Sequence, residues 1–283
     1  MTLKDRTIFI SGASRGIGLE IALRAARDGA NVVIAAKTAE PHRHLAGTIH
    51  SAAEAVTAAG GQALAVVMDA RDEAASAEAM GRAVERFGGI DVVVNSASAI
   101  SMTPVEKTEA KRWDLMMDVN ARGSFFIAKA AIPHLRKAQN PHVLTLSPPL
   151  TFDPKWFAGH VAYTMSKYAM SMVTFGMAEE FRSEGIAFNA LWPRFGIATA
   201  AIEFAVGNAD ELKRCRHPRI MADAAYEIIT RPSRECSGNF FIDDTLLYET
   251  GVRDFSIYGD MPADGWRTGM YLADDDIGPP ERS

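Results

Sequence analysis

Short runs of apolar and β-branched residues recur along the chain, and between them the apolar positions fall at helical spacing. The runs TIFIS (7–11), NVVIAA (31–36), QALAVVM (62–68), DVVVN (91–95), HVLTLS (142–147), IAFNALW (186–192) and GNFFID (238–243) predict strands. Between the early runs, GIGLEIALRAARDG, TIHSAAEAVTAAGG and EAASAEAMGRAVERFGG predict helices, each with a glycine near its end for a left-handed cap. AYTMSKYAMSMVTFGMAEEF predicts a further long helix. The strands are mostly apolar throughout, as when both faces of a sheet are covered. Such alternation predicts an α/β fold built on a doubly wound parallel sheet.

No linker, composition shift or internal repeat divides the chain. A single domain is expected over 1–249, with loops 148–160 and 193–218 at the strand carboxyl ends where such sheets bind ligands. Residues 250–283, rich in Gly, Asp and Pro with scattered aromatics, read as an irregular C-terminal extension that could pack on a neighbour.

Composition narrows the class. The 283 residues are 48% apolar and 23% charged, the balance of a globular protein with ample length for a core. A net charge of -5, with Lys and Arg scattered, argues against nucleic acid or an anionic membrane as the main partner. No run is apolar and long enough to span a bilayer, and neither a secretory leader nor a common C-terminal address is visible, so a cytoplasmic location is expected. Cys215 and Cys236 suit neither a disulfide framework nor a zinc site and read as buried, idle thiols in a reducing compartment; no metal is expected.

The segment SGASRGIG (11–18) follows the first strand and opens the first helix. Gly12, Gly16 and Gly18 let the backbone turn tightly and approach a pyrophosphate, with Ser14, Arg15 and Ile17 in the same loop. The helix start adds free N–H groups and a positive dipole end, so the segment predicts a Rossmann-type nucleotide site. NAD sites usually carry a carboxylate at the end of the second strand; here Ala36 and Lys37 stand there instead. Lys37 and Arg15 suit a 2′-phosphate, which predicts NADP(H). Asp69, after the third strand, could receive the adenine amino group or cap the following helix. Asn95, Ser96 and Ala97 close the fourth strand with small residues against which a cofactor could lie.

In order along the chain, the glycine loop, NSAS (95–98), VNARG (119–123), YTMSK (163–167) and GNFFID resemble the short-chain dehydrogenase/reductase superfamily over about residues 5–245. VVIAAKTAEPH, NSASAIS, LMMDVNARG, LSPPL, GMAEEF, NALWPR and ADAAYEI are similar, more narrowly, to one branch of it. Animal members of that branch carry an added sterol-carrier domain, which is not expected here. The resemblance implies an NADP-linked oxidoreductase.

Tyr163 and Lys167 lie four residues apart and share one helix face. A free tyrosine, with a pKa of about 10, is a poor proton carrier at neutral pH; a nearby ammonium stabilises the phenolate and brings it into range. Tyr163 could then exchange a proton with a carbinol or carbonyl oxygen while hydride moves to or from the nicotinamide. The resemblance implies that Lys167 also holds the cofactor ribose and that Asn120 holds a water linking the lysine to solvent; the alternative for Asn120 is an amide satisfying local backbone. His160 reads as a loop or cap histidine.

The family's substrate-binding serine should stand where Pro148 stands. Proline has neither hydroxyl nor N–H, so Ser147, one place earlier, is the candidate hydroxyl. Pro193-Arg194 replaces the family's Pro-Gly, with Ile197 and Thr199 as further contacts on that loop. Trp156, Phe157, Trp192, Phe195 and Phe204 could line an apolar pocket for a lipid-like small molecule, or simply pack the loops. Two functions follow: an NADP(H)-dependent enzyme interconverting a secondary alcohol and a ketone, or an NADP(H)-binding regulatory or interaction protein with little turnover. The resemblance also implies a homodimer or homotetramer paired through helices near 105–137 and 161–184.

Overall fold

A computed structural model of the chain describes residues 1–41, 46–200, 202–203, 209–273 and 278–279. Seven parallel strands form one sheet in the order β3-β2-β1-β4-β5-β6-β7. They are β1 (Thr7–Ser11), β2 (Asn31–Ala36), β3 (Gln62–Val67), β4 (Val92–Asn95), β5 (His142–Thr145), β6 (Ala187–Trp192) and β7 (Phe240–Ile242). Every predicted strand is present. β5 ends two residues early because the Ser147 N–H turns back to the Thr145 carbonyl (2.9 Å), and the two prolines that follow have no N–H to continue a ladder.

The helices are α1 (Gly16–Ala26), α2 (Ile49–Ala58), α3 (Glu73–Phe87), α4 (Ala110–Met116), α5 (Gly123–Leu135), α6 (Val161–Glu180), α7 (Arg219–Ile229) and α8 (Asp243–Glu249). Alternation along each strand divides the core. Ile8, Ile10, Val32, Ile34 and Leu144 point to one side, with α1 and α7 residues such as Ile21 and Ile228. Phe9, Val33, Val93, Val143 and Phe188 point to the other, with α3 and α5 residues such as Met80 and Ile127. Asp72 caps α3 through the N–H groups of Ala74 (2.9 Å) and Ala75 (3.1 Å), and Gly88 ends it at a φ of 87°.

The predicted 105–137 helix is broken in two by a π-helical stretch, Met117–Arg122, which contains Asn120. The described stretch that follows α8, residues 250–273, does not stand away from the body. It folds back over loops 148–160 and 193–218 of its own chain, with Gly269 N–H on the Arg194 carbonyl (2.8 Å) and Arg267 N–H on the Arg214 carbonyl (2.7 Å). None of the described helices is long and apolar enough to cross a membrane.

Candidate active site

The carboxyl ends of β1 and β4 meet at the switch point of the sheet, and the glycine loop lies there. Gly12 has a φ of 73°, and a Cβ on it would stand 2.8 Å from both N and Cα of Ala97. A Cβ on Gly18 would meet the Gly12 carbonyl at 2.8 Å. Ser11 Oγ accepts the N–H groups of Ser96 (3.2 Å) and Ala97 (3.3 Å), which locks the β4 end against β1. Arg15 precedes α1 in extended conformation without a capping side-chain bond, and the first turn holds no acid. The groove therefore presents uncapped helix N–H groups beside close-packed backbone, a cradle that fits a pyrophosphate. Ser14 is buried in this loop, Ile17 packs on the core, and a Cβ on Gly16 would lie 3.4 Å from Thr199 Cγ2 of the far loop.

At the outer end of the groove, Arg15 donates to the carbonyls of Ala46 (2.8 Å) and Gly47 (2.7 Å) and has no carboxylate partner among the described residues. Lys37 is 4.0 Å from Asp69, whose carboxylate also holds the Arg71 guanidinium at 2.7 Å. The Arg71 hydrogen bonds keep the Asp69 carboxyl below its ordinary pKa. Asp69 does not cap α3, the role that Asp72 takes. Asn95 donates to the Ser124 carbonyl (3.3 Å) and keeps a buried Oδ1 with no partner among the described residues.

α6 brings the chemical residues under the carboxyl end of β5. Tyr163 and Lys167 are both buried. Lys167 Nζ donates to the Leu146 carbonyl at 2.7 Å, and burial pulls its pKa from 10.5 down to about 7. Burial pushes the Tyr163 phenol well above its ordinary value. In the free chain both effects favour the neutral forms. Ser147 is 1% exposed, and its Oγ is a buried hydroxyl with no partner among the described residues. The turn that carries it is fixed: Ser171 Oγ donates to the Pro148 carbonyl (2.6 Å) and Tyr168 Oη to the Thr151 carbonyl (2.6 Å).

Asn120 lies in the π-helical stretch with its side chain fully engaged. Its Oδ1 accepts the Ala99 N–H (2.7 Å), while Nδ2 donates to the Ala99 carbonyl (2.9 Å) and to Ser166 Oγ (2.9 Å). The amide ties the loop after β4 to the helix turn before Lys167. His160 takes the N-cap position of α6 without a side-chain cap bond, and its buried Nε2 has no partner among the described residues.

Pro193 and Ile197 lie on the loop after β6, where Ile197 pairs with Arg216 in an isolated bridge. Arg194 anchors that loop. Its N–H donates to Asp243 (2.9 Å), its Nε to Asp244 (2.8 Å) and its Nη2 to Thr245 (2.8 Å), while buried Arg216 reaches Asp244 at 3.1 Å. Burial, reinforced by the adjacent Asp244, pushes the Asp243 carboxyl up to about 7. Trp156, Phe157 and Trp192 join Tyr163 in one apolar cluster; Phe195 turns away to Trp266 and Arg216, and Phe204 lies outside the described residues.

The profile of the short chain dehydrogenase family matches residues 6–203, which include the glycine loop and the Tyr163–Lys167 helix. The chain belongs to the short-chain dehydrogenase family. Among curated proteins, this short-chain dehydrogenase is 56% identical over 256 residues to hydroxysteroid dehydrogenase-like protein 2 of Rattus norvegicus, a match covering 90% of this chain and 48% of the relative. The chain thus spans about half the length of that relative. A crystal structure from Xanthomonas campestris superposes with a TM-score of 0.93 at 51% identity, covering 97% of this chain and 100% of that one. A short chain dehydrogenase of Mycobacterium thermoresistibile gives 0.91 at 45% identity, covering 98% and 100%. Both the family and the narrower branch read from the motifs are borne out. Tyr271, buried among the site aromatics, was missed by sequence reasoning; no spacing signal links an irregular tail to a helix so far away.

Proposed function

We propose that the chain is an NADP(H)-dependent oxidoreductase that interconverts a secondary alcohol and a ketone on an apolar or lipid-like substrate. One observation supports the reading: Lys167 Nζ donates to the carbonyl of Leu146, the residue before Ser147, whose buried hydroxyl has no partner among the described residues, and Tyr163 is buried one turn away on the same helix. A bound nicotinamide supplies hydride transfer. Gly12, Gly16, Gly18 and the N–H groups opening α1 hold its pyrophosphate, and Asn95, Ser96, Ala97, Pro193 and Ile197 flank it. In ketone reduction Tyr163 gives its proton to the forming alkoxide, and in the reverse direction it takes the carbinol proton. Lys167, when cationic, favours the phenolate. Ser147 Oγ has a free hydrogen-bonding capacity to offer the reacting oxygen, in place of the hydroxyl missing at Pro148. Asn120 acts by positioning, through Ala99 and Ser166.

NADP(H) is supported by Arg15, which has no described carboxylate partner, and by Lys37 at a strand end without an acid. Lys37 shares Asp69 with Arg71, so Arg15 carries more of the argument. Fluorescence titration should give tighter binding of NADPH than NADH; the reverse order overturns the cofactor reading. The Tyr163→Phe variant should bind NADPH and lose turnover on a panel of carbonyls and alcohols. Full activity in that variant overturns the catalytic assignment. Pro148 and the pinned Arg194 loop favour the second reading, a cofactor-binding protein with little turnover, and tight NADPH binding with a silent panel would establish it.

Exposed Met165, Met172 and Phe175 on α6, with Phe125 on α5, support a homodimer or homotetramer through these helices. Light scattering that finds only monomer excludes it. Buried free thiols at Cys215 and Cys236 suit a reducing, cytoplasmic setting.

A further inference from the structure

One fully buried side chain near the site comes from the segment after α8. Tyr271 is 0% exposed although it lies in irregular chain, and its φ of 67° is one that bulky L residues rarely adopt. Its ring centroid lies 5.9 Å from Trp156, 5.4 Å from Tyr168 and 5.7 Å from Trp192, and Tyr163 belongs to the same buried cluster. Trp156 stands on the loop after β5 and Trp192 ends β6. One side chain therefore closes the space between the two loops that flank the chemistry.

The backbone that presents it is tied on both sides. Trp192 Nε1 donates to the Met270 carbonyl (2.8 Å) and Trp156 Nε1 to the Leu272 carbonyl (3.0 Å). Thr268 pairs with Phe195 in an antiparallel bridge. These bonds describe a fixed wall rather than a swinging cover.

The hydroxyl is committed too. Thr164 Oγ1 donates to the Trp156 carbonyl (2.6 Å), so at 3.1 Å from Tyr271 Oη it is placed to accept the tyrosine proton. With its proton directed to Thr164 Oγ1, the Tyr271 hydroxyl points away from a role as a second proton carrier. What remains is shape: a rigid aromatic face in the cluster of Tyr163, joined to Lys167 through the Trp192 ring, whose centroid is 5.2 Å from Lys167 Nζ.

We propose that Tyr271 is a specificity-determining residue, the fixed end wall of the substrate chamber beside Tyr163, which limits the length of apolar substituent a ketone can carry. The inference rests on the alcohol–ketone reading above. The experiment uses methyl ketones from butanone to dodecanone with wild type, Tyr271→Phe, Tyr271→Leu and Tyr271→Ala. Binding is followed in the presence of NADPH by quenching of tryptophan fluorescence, and turnover by NADPH absorbance. Wild type and Tyr271→Phe should share one length cut-off. Tyr271→Ala should bind ketones beyond that cut-off roughly tenfold more tightly relative to butanone, the size of effect expected when room is made for an added methylene. If Tyr271→Ala does not fold, as shown by its melt, Tyr271→Leu should show a smaller shift in the same direction. Loss in equal proportion along the series makes Tyr271 a brace only and overturns the proposal, as does an unchanged cut-off. If wild type binds no ketone at any length, the alcohol–ketone reading itself falls and takes this inference with it.

Discussion

Replacing Lys167 by methionine should stabilise the cofactor-free protein while abolishing its activity. The amine is 3% exposed, and burial lowers its pKa from 10.5 to about 7. At about 1.4 kcal/mol for each tenfold change in proton affinity, keeping it charged inside the fold costs about 5 kcal/mol relative to water. Near pH 7 about 4 kcal/mol of that cost is felt. Methionine keeps an apolar stem of similar length and removes the amine. Against this, the Leu146 carbonyl loses its 2.7 Å donor, which costs about 1–3 kcal/mol. The balance is a gain of about 1–3 kcal/mol, or roughly 2–10 °C in melting temperature for a chain of this size. The sign of the pH dependence follows from the depressed value. Between about 7 and 10.5 the unfolded chain binds the extra proton, so wild-type stability rises with pH while that of Lys167→Met does not follow. Thermal melts by circular dichroism, without cofactor, should show the variant's advantage largest below pH 7 and shrinking toward pH 10. A variant that melts lower than wild type, or a gap indifferent to pH, would refute the reasoning. Such a trade of stability for chemistry is expected where an active site holds a buried charge.

Ser147→Ala should lower kcat by roughly 10²–10³-fold, by analogy with loss of one preorganised donor. Its melting temperature should stay near wild type because Ser147 Oγ has no described protein partner to lose; unchanged kcat would show that the hydroxyl merely ends a strand. Asp244→Asn strips the charge from a carboxylate shared by buried Arg194 and Arg216. It should cost about 3–5 kcal/mol in urea unfolding and weaken NADPH binding through the loop at 193–197, and a shift below about 1 kcal/mol would contradict it. His142 is buried, and burial lowers its pKa from 6.5 to about 4. The unfolded chain therefore takes up a proton first as pH falls below 6.5, and stability should drop by about 3 kcal/mol by pH 4. Urea midpoints across this range should lose most of that slope in His142→Gln.

Most of the fold was legible because its signals are local. Apolar runs of strand length and the helices between them needed only neighbouring residues, and strand boundaries erred mainly where the turn is made beyond the run, by the backbone bond and prolines at Ser147 and by the Asp243 carboxylate. The glycine loop and the Tyr163–Lys167 spacing were readable for the same reason. Asn120 illustrates the limit: its position was found by pattern, but its partner Ala99 is set by a π-helical turn that no spacing in the sequence announces. At Arg194 the missing glycine was plain, yet the answer lay with Asp243 and Asp244, where the chain bends from β7 into α8. The aromatics of loops 148–160 and 193–218 were judged without the segment that packs on them, which lacks periodicity of its own.

That distant segment also bears on the order in which the protein becomes itself during synthesis. Thr164 and Tyr271, whose hydroxyls lie 3.1 Å apart, are separated by 107 positions. Sheet, cradle and α6 can all leave the ribosome, and domains tend to fold as they emerge, before the last aromatic of the site has been translated. For that interval Trp156 and Trp192 lack the carbonyls their indoles bind, and an apolar cleft faces solvent or a chaperone. A ribosome stalled just before Met270 would therefore display a nearly finished sheet with its helices and an unfinished, sticky mouth, and release of the final stretch would seal it.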